Sequence, residues 1–521
     1  MAFAEYFNKN IQSAALLLQG IDADAFKAVL ESEVVCLAFD DAAAKSYEGQ
    51  ATLDLLVRSL ARLYPAITFL STGAAAKKLA SALESLARAV NKNIDISDKV
   101  KGVTRCLVVG EKRPKFLKGM KPFVRYVGSD KWFAKISAKA PVGCGSSKNP
   151  FGAGAAACIG AANVFRTTFA AQIPGSKTDD EAVFSMLEFA PATKKSKNPS
   201  LGEVNVGELH LAGAGAIANG FLWAFSRLTA ARGDLHIIDH QQIEKSNLQR
   251  YVMTVEADED QAKVDLAERW LKDTGIKVKP HATRWEHYVG ERNDWHFERV
   301  AVAVDTAETR INIQAALPRS THNSWTQSGE AGASRHGFLG TNACLACLYM
   351  PTGTVPNHDQ LIAEALGFPA DQPHLEEIRR RLDLHVKTER AYLEQIAAAR
   401  TIPVEKLLPF EGKSLEALYV EAVCGGAVME LANPQVTKRI EVPMAFQSAF
   451  AGLMLAADVV AEVGKLRERL PTMTQVRMLN SLPELPSSGQ GKADGTRCMC
   501  MDQDFIDAYK AKYNLEGASA S

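Results

Sequence analysis

The stretch "ELHLAGAGAIANG", Glu208 to Gly220, is a strand pattern that breaks into glycines and then into an apolar helical pattern. Gly213, Gly215 and Ala218 stand in a G-x-G-x-x-A arrangement. Glycine is required at such a turn because a side chain would keep the backbone from a phosphate at the helix N-terminus. The next strand-like run, "GDLHIID", closes on Asp239, where a nucleotide-binding α/β fold places an acid to accept hydrogen bonds from ribose hydroxyls. A tight turn with a helix cap is the competing explanation of each feature taken alone.

The residues beyond Asp239 separate two kinds of nucleotide chemistry. A hydride-transferring dehydrogenase needs little positive charge at the far phosphate, whereas this chain continues through "IEKSNLQRY" with Asn247 and Arg250, then Lys263. A further strand-like run, "RVAVAVD", ends on Asp305. Cations plus a carboxylate suit adenylyl transfer, in which charge builds on phosphate oxygens and magnesium neutralises it.

Outward from this centre, the 521 residues exceed one core and imply two or three domains. Residues 1–190 alternate strand-like runs ("EVVCLAF", "AITFLS", "VTRCLVVG") with helical ones ("ATLDLLVRSLARLY", "AAAKKLASALESLARAV"), an α/β pattern. The run 191–202, "PATKKSKNPSLG", reads as an exposed linker. A second α/β domain occupies 203–350, then a charged helical insertion 351–430, and a completing segment 431–521. "LPSSGQGKADGT" reads as a flexible loop and "NLEGASAS" as an unordered tail. The fold class expected is α/β, two tandem Rossmann-like domains with a helical insertion.

Net charge is zero and 47% of residues are hydrophobic, which points away from nucleic-acid binding. The N-terminus lacks a basic leader, and the apolar run "PMAFQSAFAGLMLAADVVAEV" is broken by Gln447, Ser448 and Asp458. The expectation is a soluble, cytoplasmic protein with no membrane partner. Nine cysteines are too few for a disulfide scaffold. Four fall in two tight pairs, Cys344 with Cys347 and Cys498 with Cys500, the ligand set of a tetrahedral structural Zn2+; buried thiols or a redox pair are the alternatives.

"GAGAIA", "IIDHQQIEKSNLQR", Lys263 in "DQAKVD" and "VDTAETR" ending in Arg310 together resemble the adenylation domain of the ubiquitin-activating enzyme superfamily, which includes the ThiF and MoeB adenylyltransferases of thiamine and molybdopterin synthesis. The resemblance runs from about Gly207 to Met350 and resumes near "VPMAFQSAFAGLMLAADVVAEV". It implies that Asp239 holds the ATP ribose, that Asn247, Arg250 and Lys263 contact its phosphates, and that Asp305 binds Mg2+. Gln241, Tyr251 and Thr306 stand where the family often has an acid, a glutamine and an asparagine. The resemblance also supports Zn2+ at the two cysteine pairs.

The same family implies further roles. Activating enzymes commonly carry the transfer cysteine between the zinc pair and the late apolar helix, which selects Cys424 in "EAVCGGAVMEL", with Gly425 and Gly426 next to it. Cys144 in "PVGCGSSKNP" is the rival nucleophile; a buried small residue is the alternative role for Cys424. Cys36, Cys106 and Cys158 read as core. The first domain lacks a strand–G-x-G–helix unit with a following acid, and the glycines of "NPFGAGAAACIGAANVFR" read as helix packing. It looks like the inactive copy that activating enzymes pair with an active adenylation domain, a pseudodimer within one chain, with Arg166 a candidate cation lent to the ATP site and a further homodimer open. The layout resembles the activating enzymes of bacterial ubiquitin-like conjugation operons, associated with defence against phage, whose partners are a ubiquitin-like protein and a conjugating enzyme. The competing functions are a sulfur-carrier adenylyltransferase and a nucleotide-binding scaffold.

Overall fold

A computed structural model describes residues 2–8, 10–11, 17–117, 122–292, 296–327, 329–350, 358–419, 443–482, 487–493 and 498–515. The chain forms two compact units, Met1–Met350 with Pro443–Ser521, and Pro351–Val442.

The larger unit holds two eight-stranded sheets, as the α/β alternation predicts. The first contains β1 (Val35–Asp40), β2 (Ala66–Thr72), β3 (Asp95–Ser97), β4 (Arg105–Val109), β5 (Phe123–Asp130), β6 (Phe133–Ser137), β7 (Glu181–Ser185) and β8 (Ala190–Pro191). The second contains β9 (Val204–Ala212), β10 (Ala231–Ile238), β11 (Gly275–His281), β12 (Arg299–Val302), β13 (Ser320–Gln327), β14 (Glu330–His336), β15 (Met473–Arg477) and β16 (Ser487–Ser488). Their spatial orders are β3-β2-β1-β4-β5-β6-β7-β8 and β11-β10-β9-β12-β13-β14-β15-β16. Adding eight to each label of the first sheet gives the second. Pairing agrees as well: parallel from β3 to β5 and from β11 to β13, antiparallel beyond. One Rossmann-like topology thus occurs twice.

Local sequence explains the elements. All six residues of β1, "VCLAFD", are buried, as a central parallel strand covered on both faces demands. Ser46 caps the helix Tyr47–Leu60 by accepting from the Gly49 amide at 3.0 Å, and the apolar face of that helix buries Leu53, Leu56, Val57 and Leu60. Ser487 and Ser488, in the stretch read as a loop, instead pair with β15, because the edge of β15 offers them backbone partners. Residues 516–521 of the tail lie outside the described residues.

Three helices carry the core that joins the halves: Phe151–Thr168, Ala216–Phe225 and Ala445–Val463. A Cβ on Gly154 would fall 2.7 Å from the Trp223 ring and 2.8 Å from Leu453, so this glycine serves helix packing, as expected. Trp223, Phe165 and Phe450 are fully buried there, each contributing about 2–3 kcal/mol of transfer free energy. The helix Ala445–Val463 is long and apolar enough to cross a membrane, but 89% of that window is buried inside the protein. Gln447 and Asp458 have partners within the unit, while the buried Ser448 hydroxyl has none among the described residues. Gln447 donates to the Glu330 carbonyl at 2.7 Å, and Asp458 accepts from His322 at 2.7 Å, from Arg335 at 2.9 Å and from Arg467.

The smaller unit packs the helices His358–Leu366, Gln372–Asp383 and Arg390–Arg400 around Ile362, Ile378, Leu393, Ile396 and Leu415. Arg381 lies 3.7 Å over the Tyr392 ring and pairs with Glu377 and Glu389, each at 2.6 Å, so part of the charge run is internal scaffolding. Cys424, the candidate transfer cysteine, lies outside the described residues.

Candidate nucleotide-binding site

The strand order places a crevice where β9 and β12 diverge, since the chain leaves β9 toward β10 on one side while β12 lies on the other. Ligands of open α/β sheets bind at such a switch point, outside the carboxyl ends of the strands. Gly213 comes directly after β9 with φ +89°, and a Cβ there would fall 2.8 Å from the Ala303 carbonyl oxygen. Only glycine fits that turn. Gly215 is the N-cap residue of Ala216–Phe225, and no side chain caps that helix start. Ala218 is fully buried on the inner face of the same helix.

Asp239 ends β10, and its carboxylate accepts from the Ala214 amide at 2.8 Å and from the Gln241 amide at 2.9 Å. Two of roughly four acceptor positions are so used, and the others suit ribose hydroxyls. The polar run forms a short turn, Lys245–Gln249, in which the Asn247 side-chain oxygen accepts from the Glu244 amide at 3.1 Å. Asn247 therefore shapes the run while lying largely buried in it.

Two cations meet beside the glycine turn. The Arg250 guanidinium lies 5.6 Å and the Lys263 ammonium 5.4 Å from the centre of the Tyr251 ring, whose hydroxyl lies 3.4 Å from where a Cβ of Gly215 would stand. Lys263 is only 5% exposed and donates to the Gln241 amide oxygen at 2.6 Å. Neither cation is paired with a carboxylate among the described residues. An ammonium taken from water without an anion is destabilising by several kcal/mol, so the arrangement is built for an anionic ligand. Gln241 and Tyr251, two of the departures from the family pattern, thus hold and floor the cations. No signal in the sequence beyond their adjacency to Asp239 and Arg250 marked them for this.

Asp305 stands exposed at the mouth of the crevice, just beyond β12. Arg310 presents it. Its guanidinium donates to the Asp305 and Thr306 carbonyls at 3.2 and 3.3 Å, to the Val304 carbonyl, and to Asn323 at 3.1 Å, and it lies 4.7 Å from the Tyr349 ring centre. Thr306 caps the adjoining helix by accepting from the Thr309 amide at 3.1 Å. The donor set fits magnesium nucleotide: a ribose acceptor, two phosphate cations and a free carboxylate for the metal.

The first half fills the same location differently. Asp40 ends β1, is 5% exposed, and accepts from the Glu111 and Lys112 amides beyond β4 at 2.9 and 3.0 Å. A buried carboxylate thus closes this strand end, and β2 ends in Ser71 and Thr72 without an acid. Arg166 is not brought to the nucleotide crevice. It is 1% exposed, bound to Asp179 and to the Lys177 and Asn480 carbonyls, because a guanidinium in that apolar helix needs an internal anion.

The two cysteine pairs converge. Sγ separations are 3.7 Å for Cys344–Cys347, 3.5 Å for Cys344–Cys498, 3.4 Å for Cys347–Cys498 and Cys347–Cys500, and 3.6 Å for Cys498–Cys500. Four thiolates at about 2.3 Å from one ion would stand roughly 3.8 Å apart, so the set is compatible with Zn2+. It ties the helix Gln503–Lys512 to the second half, where Lys512 donates to the Ala316 and Leu317 carbonyls at 2.7 and 3.1 Å. Cys36, Cys106 and Cys158 are fully buried, as expected of core residues. Cys144 is half-buried, and burial, with Glu48 nearby, pushes its thiol up to about 12, a poor state for a nucleophile.

Residues 205–481 match the model of the ThiF family, and residues 38–170 match that of prokaryotic E2 family C. Protein y4jF of Sinorhizobium fredii is 43% identical over 513 residues, 98% of this chain and 98% of its own. Among solved structures, Escherichia coli MccB with MccA-N7isoASN is 16% identical, over 56% of this chain and 67% of that one, with a TM-score of 0.33. MccB with ATP is 16% identical, over 56% and 66%, with a TM-score of 0.32. The family match extends over the glycine turn, both cations, Asp239 and Asp305, and the chain belongs to the ThiF family, with the nucleotide site of an adenylyltransferase in its second half.

Proposed function

We propose that this chain activates a ubiquitin-like protein: the C-terminal carboxylate attacks the α-phosphate of ATP, pyrophosphate leaves, an enzyme cysteine thiolate then attacks the acyl carbon of the adenylate to form a thioester as AMP leaves, and the acyl group passes on to the thiol of a conjugating enzyme. The observation that carries the adenylation step is the pair Arg250 and Lys263, held beside Gly213, Gly215 and Asp239 with no carboxylate partner among the described residues. Developing charge on the phosphates is what such cations stabilise. Asp305 would hold Mg2+, and bound Mg2+ supplies further neutralisation of the leaving pyrophosphate. Cys424 is the proposed thioester residue. The first half would serve as a nucleotide-free copy of the second, a reading supported by the repeated strand order and by the buried Asp40 carboxylate that closes β1. The E2-family match of residues 38–170 favours conjugation over sulfur transfer. Partners in this scheme, including a link to defence against phage, derive from the operon-like layout.

The test is intact mass under non-reducing conditions after mixing the protein with ATP, Mg2+ and the ubiquitin-like protein encoded beside it. An adduct of one partner mass that thiol releases and Cys424→Ala prevents is the expected result. Adenylate with no adduct selects the sulfur-carrier reading, and binding of ATP with no pyrophosphate exchange selects a scaffold.

A further inference from the structure

The turn that carries the phosphate cations is held by the other half of the molecule. From Tyr251 to Thr254 the chain forms a turn, directly after Arg250, in which the Thr254 amide donates to the Tyr251 carbonyl at 3.0 Å. On one side Asn219, in the helix that starts at the glycine turn, accepts from the Met253 amide at 3.0 Å. On the other side stand two arginines of the first half. Arg62 donates to the Tyr251 carbonyl at 2.6 Å and to the Thr254 carbonyl at 2.5 Å, and Arg58, one helical turn earlier, donates to the Val252 carbonyl at 3.0 Å.

These two arginines are unlike each other. Arg58 has Asp54 at 2.9 Å as a partner. Arg62 is 2% exposed, has no bonded carboxylate among the described residues, and keeps its Nε without any partner. A buried guanidinium satisfied only by carbonyls is destabilising for the fold alone, and surface packing could be had from an apolar side chain. Unlike an apolar residue, Arg62 fixes two carbonyls of one turn from a single charged nitrogen. The carbonyl it grips nearest to Arg250 in sequence belongs to Tyr251, the ring both cations lie over.

We propose that Arg62 of the first half is a positioning residue for the nucleotide phosphates, acting through the 251–254 turn on Arg250 and Tyr251. The inference rests on the nucleotide site proposed above and assigns a task to the first half. It also separates two parts of the ligand. Asp239 and the Gly213 turn belong to β9 and β10 and do not depend on Arg62, so adenosine contacts are expected to survive its loss while phosphate contacts weaken.

The experiment is calorimetric titration of the full chain with Mg-ATP and, separately, with adenosine, for the natural protein and for Arg62→Met and Arg62→Lys, each verified as folded by circular dichroism and melting. Loss of two carbonyl bonds from a charged donor should raise the Kd for ATP by about tenfold or more in Arg62→Met, with that for adenosine moving less than about twofold. If Arg62→Met does not fold, Arg62→Lys decides: an ammonium has donors for both carbonyls but lacks the planar guanidinium that aims one nitrogen at them, and about a threefold rise for ATP alone is expected. Unchanged ATP affinity in the folded variant, or equal losses for ATP and adenosine, overturns the positioning role. Failure of the natural protein to bind ATP overturns the nucleotide reading itself, and this proposal with it.

Discussion

Lys263 has an amide for a partner where a buried ammonium ordinarily has a carboxylate. Replacing it with methionine removes an ion that the ATP-free fold has to accommodate, so Lys263→Met should melt no lower than the natural protein. ATP affinity should nevertheless fall by about tenfold or more, the loss of one charge-assisted contact. A melting point lowered by more than about 5 °C would instead make the lysine structural. Asp305 allows the complementary test. It is exposed, so Asp305→Ala should leave the melting point in place while adenylation, read as pyrophosphate exchange, drops by about a hundredfold or more. These residues were legible in the sequence because each site feature is local: a glycine at a turn, an acid at a strand end, cations a short run later. Arg62 and Arg166 were not. Arg62 meets Tyr251 across 189 positions and Arg166 meets Asn480 across 314, and nothing in either local stretch says which carbonyl or carboxylate it will find.

Elements were legible to the extent that burial is one- or two-sided. The all-apolar run of β1 and the amphipathic helix Tyr47–Leu60 announce themselves, whereas β16, two serines paired at a sheet edge, carries no pattern to read. That two Rossmann-like halves follow one another was legible from their repeated α/β alternation, although the repeat preserves burial and crossover order without preserving motif residues. Helix crossing gives a prediction at this scale. A Cβ on Gly452 would fall 2.1 Å from the Ile217 carbonyl oxygen, so Gly452→Ala should push the helix Ala445–Val463 away from Ala216–Phe225. Overpacking of that kind costs about 1–3 kcal/mol. A urea midpoint unchanged from the natural protein would show that the two helices can separate freely. The cysteine cluster gives a second. A chelator that removes Zn2+ should lower the melting point while leaving ATP affinity nearly as it was, because the sulfurs anchor the helix Gln503–Lys512 and contribute no group to the crevice. Metal analysis finding no zinc in the purified protein would end that assignment.

For the molecule as a whole, stability should depend on pH through histidines whose burial disfavours the charged form. His210 and His236 lie side by side on β9 and β10, their rings stacked 4.7 Å apart, with Tyr288 bonded to His236 and Arg292 to His210. Burial first, then neighbouring cations and imidazoles, push His236 down to about 4 and His210 to about 2. In the unfolded chain both titrate near 6.5. Their contribution is therefore complete above about pH 6.5 and is lost on acidification, as the unfolded chain takes up protons that the fold refuses, at about 1.4 kcal/mol per pH unit for each imidazole. His322 has the opposite sign. Burial pushes it down, but its hydrogen bond to Asp458 and the Glu462 carboxylate beside it outweigh that and raise it, so its contribution is complete below its unfolded pKa and is lost as pH rises through the folded one. The stability curve should accordingly fall on both sides of neutrality. Urea midpoints between pH 7.5 and 4.5 check the acid limb, and His210→Phe with His236→Phe should flatten it relative to the natural protein even though carboxylates titrate in the lower part of the same range. An acid limb of unchanged slope in that double variant would mean that the protons enter elsewhere. The next group to replace would then be Asp458, whose carboxylate burial alone would raise but which Arg335, His322 and Arg467 together hold well below its usual range.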